Sequence, residues 1–124
     1  TLFIDLDGTL VRNSGEYFEP TWGTTEGIKE NIAGVNRLYD SGKVQIIITT
    51  SRKEAAREVT VAQLQREGVR YHQILFGMNH GKRIVVNDYA RSNPFKSCDS
   101  VNLARNSSDL AEMLESLLQV EGEV

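Results

Sequence analysis

The chain opens on Thr1-Leu2-Phe3-Ile4, whose apolar run from Leu2 breaks into the polar cluster Asp5-Leu6-Asp7-Gly8-Thr9. A short run of this kind reads as a buried strand delivering polar groups at its carboxyl end, here over residues 2–6. From Thr24 to Tyr39 the apolar residues Ile28, Ile32, Val35, Leu38 and Tyr39 follow at spacings of four, three, three and one, which predicts a helix stopped by Ser41-Gly42. Val44 to Ile48 is rich in β-branched residues, as in a parallel strand covered on both faces, and it too ends in polar residues, Thr49-Thr50-Ser51-Arg52. Lys53 to Glu67 predicts a second helix with Ala55, Val59, Ala62 and Leu64 toward a core and Gly68 as its stop. A strand around Tyr71 to Phe76 follows, then a turn through Gly77-Met78-Asn79-His80-Gly81, then Arg83 to Val86 as another buried strand ending at Asn87-Asp88. Leu110, Met113, Leu114, Leu117 and Leu118 recur at helical spacing over Asp109 to Leu118, with Asp109 and Glu112 in capping-box positions, and predict a terminal helix.

Strands alternating with helices describe an α/β domain: a Rossmann-like three-layer sandwich around a mainly parallel sheet, whose ligands bind at the carboxyl ends of the strands. The polar clusters fall at those ends. One spacing departs from the scheme: only a few residues separate Phe76 from Arg83, whereas a parallel crossover takes about a dozen or more. The strand near residues 71–76 is therefore either short and placed elsewhere, or antiparallel.

Composition narrows the class. A chain of 124 residues, 40% hydrophobic and 25% charged, is expected to form a single domain over residues 1–124. A formal charge of −3 and a sequence pI near 5.4 argue against a broad grip on nucleic acid. No run approaches the roughly 20 apolar residues of a membrane helix, and no basic segment precedes an apolar signal core, so the expectation is a soluble, cytoplasmic protein without membrane partners. Cys98, the single cysteine, has no partner for an internal disulfide or a cysteine-rich zinc site. The opening on a strand already under way suggests that residues precede Thr1.

The chemistry concentrates in Asp5-Leu6-Asp7-Gly8-Thr9. Two carboxylates one residue apart at a strand end can lie close together while doing different jobs. Gly8 allows a sharp turn that brings backbone amides toward an anion, and the Thr9 hydroxyl can close it. One aspartate can attack phosphorus to form an acyl phosphate; the other can protonate the leaving oxygen and later take a proton from water. A lone Asp-x-Asp would be read as turn chemistry. Asp-x-Asp-Gly-Thr arises by chance in roughly one in a thousand chains of this length, and here it follows an apolar strand.

Phe3-Ile4-Asp5-Leu6-Asp7-Gly8-Thr9-Leu10 resembles the first signature of the haloacid dehalogenase superfamily. The resemblance implies that Asp5 is the nucleophile and Asp7 the general acid and base, that Gly8 and Thr9 contact substrate, and that the Asp7 carbonyl ligates Mg²⁺. Ile46 to Arg52 resembles the second signature, whose hydroxyl residue binds the transferring phosphoryl group: Thr50, with Thr49 as the register alternative and Ser51 beside them on the substrate. The family's lysine before its last catalytic strand is matched by Lys82, with Arg83 an adjacent competitor. Such a cation offsets the charge of nucleophile and phosphate. Ile84-Val85-Val86-Asn87-Asp88 resembles the fourth signature, which makes Asp88 a Mg²⁺ ligand with Asp5. Asn87 stands where many members carry a second acid, and it adds no charge.

Beyond these signatures Arg12, Tyr89, Arg91, Asn93, Lys96 and Arg105 are candidates to line a site for an anionic or hydroxylated substrate, Arg91 foremost. Tyr17 and Trp22 are candidates for a small flap, and His72 and His80 carry no ligand or base pattern. The interval between the first two signatures holds one helix, so no cap domain is expected. Cap-less relatives act on large substrates that cover the site themselves, or complete the site with a neighbouring subunit, so a homo-oligomer is a possibility. The chain is most similar to small cap-less phosphatases of bacterial sugar and capsular polysaccharide biosynthesis. The expected activity is Mg²⁺-dependent hydrolysis of a phosphomonoester such as a sugar phosphate. The alternatives are a non-catalytic module that binds a phosphorylated ligand, and a polynucleotide end phosphatase, which the acidic balance disfavours.

Overall fold

Three short strands, β1 (Leu2–Asp5), β2 (Ile46–Thr49) and β3 (Gln73–Leu75), pair in parallel in that order, in a computed structural model that describes residues 1–14, 22–92, 94 and 96–120. Helix α1 (Lys29–Asp40) joins β1 to β2, and a 3₁₀ turn (Glu54–Ala56) with α2 (Arg57–Arg66) joins β2 to β3. Helix α3 (Leu110–Val120) follows later in the chain. The register sets Ile4 beside Ile48 and Ile48 beside Ile74, and one residue on it sets Asp5 beside Thr49 and Thr49 beside Leu75. The carboxyl ends are therefore level, so the Asp5 loop and the Thr50 loop leave the sheet together.

The strands alternate as the pleat requires. Leu2, Ile4, Ile46, Ile48 and Ile74 share a core with Ile32 and Val35 of α1, Leu64 of α2, and Leu110 and Leu114 of α3. A fully buried isoleucine or leucine contributes about 1.5 to 3 kcal/mol, so this cluster holds the domain together. The opposite face of the sheet carries Phe3 at 53% and Leu75 at 39% exposure. All three described helices thus feed one core, and a second helical layer is not seen among the described residues. No helix among these residues is long and apolar enough to cross a membrane.

Helix α1 begins at Lys29 rather than Thr24 because the chain before it pairs with the loop after β1: Arg12 N–H donates to the Glu26 carbonyl at 2.8 Å, and Ile28 N–H to the Leu10 carbonyl at 2.8 Å. Helices α1 and α3 touch closely at Gly34, where an added Cβ would lie 2.8 Å from the Ala111 Cβ. The first turn of α3 is closed across the core rather than by its own capping box. Leu110 N–H donates to Asn31 Oδ1 at 3.3 Å, and Asp109 N–H donates to Ser107 Oγ at 3.2 Å.

Three expectations change. The strand near residues 71–76 is short and parallel to β2, so the antiparallel alternative falls. Helix α2 buries Thr60, Gln63 and Leu64, while Ala55, Val59 and Ala62 stay exposed or nearly so; the inward face is polar because it receives the Arg52 side chain. Residues 83–86 form no strand: Ile84, Val85 and Val86 are exposed at 78%, 54% and 86%. The link from β3 is too short to carry a helix back across the sheet, so nothing returns this segment to the free edge of β1.

Candidate active site

Asp5 is the last residue of β1, and its side chain is 43% exposed. It accepts hydrogen bonds from the Leu6 backbone N–H and the Thr9 hydroxyl. Partial burial nevertheless holds its carboxyl above the ordinary 3.8, more than the nearby Arg83 guanidinium and these two donors lower it, and the neighbouring Asp7 charge adds to the rise. The Arg83 guanidinium lies 3.7 Å from Asp5 Oδ1.

Gly8 turns the chain at φ +84°, a conformation that L side chains rarely adopt. Its N–H donates to the Val11 carbonyl at 2.7 Å, and Thr9 N–H donates to the Leu6 carbonyl at 3.2 Å. These two amides are spent inside the turn, so neither is among the backbone amides that the turn was expected to bring toward an anion.

Asp7 is held by Arg52. The Arg52 Nη2 stands 2.7 Å from Asp7 Oδ1 and its Nε 3.0 Å from Oδ2, a two-point grip. Arg52 is 1% exposed, and its Nη1 donates to Thr60 Oγ1 and Gln63 Oε1, both at 2.9 Å. Gln63 Nε2 in turn donates to the Thr25 carbonyl at 2.9 Å, tying the segment before α1 to the same network. A buried guanidinium needs such a full set of acceptors, since an unpaired buried charge is costly.

At the end of β2, Thr50 is buried and its hydroxyl oxygen accepts from the Arg52 backbone N–H at 3.1 Å. Thr49 is the register partner of Asp5, so pleat alternation directs both side chains to one face. Ser51 follows, half-buried. Lys82 and Arg91 are exposed and form no ion pair with a described residue, so the cation facing Asp5 is Arg83. Asp88 is exposed, with its carbonyl bound by Ser97 Oγ at 2.7 Å, and Asn87 Nδ2 donates to the Ser97 carbonyl at 3.2 Å.

The oxygens of Asp5 and Asp7 are hard donors of the kind Mg²⁺ prefers, and that ion usually takes one or two carboxylates with water and substrate for the rest. No group of three or more metal-holding side chains forms among the described residues, so Asp88 does not join Asp5 and Asp7 in such a cluster. Tyr17 and Asn93 lie outside the described residues. His72 is structural: its Nδ1 accepts from Ile46 N–H at 2.9 Å and its ring lies 4.6 Å from that of Tyr39.

Two residues that frame the site escape a pattern reading. Arg52 was visible only as the residue after the hydroxyl cluster; its signal was the pair Thr60 and Gln63, polar positions beside Leu64 on one helical face. Asn31, fully buried, donates to the Thr9 carbonyl at 2.8 Å and the Ser107 carbonyl at 2.7 Å, joining the Gly8 turn to α1 and α3. Its signal was a polar residue between Ile28 and Ile32 on the apolar side of α1.

No family model and no curated protein matches the chain. A crystal structure of an MCSG target from Vibrio cholerae is similar over 97% of both chains, with a TM-score of 0.54 and 18% identity. That likeness concerns the fold alone.

Proposed function

We propose that the chain is a Mg²⁺-dependent phosphomonoester hydrolase of the haloacid dehalogenase type that works through an aspartyl phosphate on Asp5. The observation that carries the reading is the placement of Asp5: a half-exposed carboxyl at the carboxyl end of a parallel strand, faced by a guanidinium, with a second aspartate two residues on. Ligands of open α/β sheets bind at such ends.

In this reading an Asp5 oxygen bonds to phosphorus as the ester P–O bond breaks, and the departing oxygen takes a proton from Asp7. Water then attacks phosphorus, its proton passes to Asp7, the bond to Asp5 breaks, and inorganic phosphate leaves. Asp7 must give up at least one Arg52 hydrogen bond to reach the substrate. Thr50, or Thr49 beside Asp5, would hold the phosphoryl oxygens with Ser51 and Thr9. Asp5 and the Asp7 carbonyl would hold Mg²⁺, which would supply charge neutralisation at the phosphoryl group, whereas Asp88 would have to approach them to serve as the second carboxylate. With no cap among the described residues, the site suits a substrate that covers it, a sugar phosphate among those to test.

Release of inorganic phosphate from sugar phosphates, nucleotides and an aryl phosphate, with Mg²⁺ or chelator, tests the reading. Mg²⁺-dependent turnover that Asp5→Asn abolishes without unfolding supports it; no turnover of any of these by folded protein rejects it. The doubly held Asp7, whose two oxygens are engaged by Arg52, favours as the second reading a module that binds a phosphorylated ligand without cleaving it.

A further inference from the structure

We propose that Arg105 is the anion-binding residue of this site, gripping the oxygens of a bound phosphoryl or phosphate group. The inference deepens the phosphatase reading and rests on it for the nature of the anion.

Its position comes first. Asn106 N–H donates to the Gly8 carbonyl at 2.8 Å, and Asn106 Oδ1 accepts from Asn13 N–H at 2.9 Å. These bonds pin residues 105–106 across the turn that follows β1, and they hold Asn106 at φ +64°, the one non-glycine residue with positive φ among the described residues. Asparagine tolerates that conformation better than most residues, yet its appearance against a candidate catalytic loop is the pattern of a backbone held in place for a purpose. The Arg105 stem consequently lies on Gly8: its Cγ is 3.0 Å from where a Cβ on Gly8 would stand. An alanine there would push the arginine away.

Charge comes second. Arg52 is spent on Asp7 and Arg83 faces Asp5, so each aspartate of the loop already has its cation. Arg105 is exposed and forms no ion pair with a described carboxylate. Arg105 is therefore a positive charge, packed on the turn, that the two aspartates of the loop do not use.

The backbone comes third. A phosphate cradle normally presents free amides from its glycine turn. Here Gly8 N–H and Thr9 N–H donate inside the turn, so an anion above Gly8 gets no donor from these two amides and gains from a side chain beside them. A guanidinium offers a planar fork that fits two phosphate oxygens at once.

The test is binding of inorganic phosphate, measured by calorimetry in chelator, for native protein, Arg105→Met and Arg105→Lys. Methionine keeps an apolar stem over Gly8 and removes the charge, so an unchanged urea midpoint separates binding from folding. The expected result is a dissociation constant raised about ten-fold or more in Arg105→Met and partly recovered in Arg105→Lys. Equal affinity in Arg105→Met and native protein overturns the proposal, as does native protein that binds no phosphate. Turnover of an aryl phosphate tells the two readings apart. Turnover with KM unchanged in Arg105→Met removes Arg105 and leaves the phosphatase standing. Arg105-dependent phosphate binding without turnover leaves Arg105 standing and removes the phosphatase.

Discussion

Arg52 meets Asp7 as a fork on a fork, with Nη2 and Nε at 2.7 and 3.0 Å from the two carboxylate oxygens, and it does so from a position only 1% exposed. Removing one member of such a pair leaves the other as a buried charge without a partner. Asp7→Asn is expected to cost about 3 kcal/mol of stability, measured by urea unfolding at pH 7. A variant as stable as the native chain would show that the pair carries no structural weight.

Asp5 should respond in the opposite sense. Its carboxyl is raised above 3.8 by burial, so the native state binds its proton more tightly than the unfolded chain does. The favourable contribution is therefore present below the unfolded value of 3.8 and is lost as pH rises through the raised native value. Asp5→Asn, which cannot ionise, is expected to be more stable than native protein at pH 7, with the difference shrinking as pH falls toward that value. Unfolding midpoints across this pH range check it, and an Asp5→Asn variant less stable at pH 7 contradicts it.

Asn31 binds the Thr9 carbonyl, the Ser107 carbonyl and the Leu110 N–H from a fully buried position. Asn31→Leu conserves bulk and strands three polar groups. At about 1 to 3 kcal/mol for each group left unsatisfied, the loss should reach roughly 4 kcal/mol by chemical denaturation. A loss below about 1 kcal/mol would mean that water replaces these bonds.

Gly8→Ala places a side chain at φ +84° and against Arg105 Cγ. The backbone strain alone should cost about 1 to 2 kcal/mol. A thermal midpoint equal to that of native protein would mean that the turn adapts without strain.

Hydrogen exchange should separate the two candidate strands of the sequence. The amides of Ile46 to Ile48 lie in the middle of the sheet and are expected to exchange slowly, whereas those of Ile84, Val85 and Val86, exposed and outside any strand, exchange early. Slow exchange at residues 84–86 would place them in the sheet after all.

The residues that carry local chemistry were legible in the chain. Asp5 and Asp7 stand at the end of an apolar run, β2 is marked by its isoleucines, and α1 and α3 by their spacing, because periodicity and strand-end polarity are properties of neighbouring residues. The inward face of α2 was misread for a physical reason. Its buried positions are Thr60 and Gln63, chosen to receive an arginine from another loop, and a hydrophobic pattern cannot announce a polar contact. The run at residues 84–86 was misread in the reverse way: an apolar, β-branched segment has strand propensity, but pairing depends on whether the preceding link can reach a free edge.

By itself, then, the sequence determined strands β1 and β2 and helices α1, α2 and α3, and which aspartates stand at the carboxyl end of β1. Only the tertiary structure decided what surrounds them: Arg52 on Asp7, Arg83 rather than Lys82 toward Asp5, and Arg105 laid over Gly8. Spacing along the chain sets local conformation, whereas the partner of a charge is whichever group the folded chain brings within a few ångströms, and for Asp7 that group is 45 residues away.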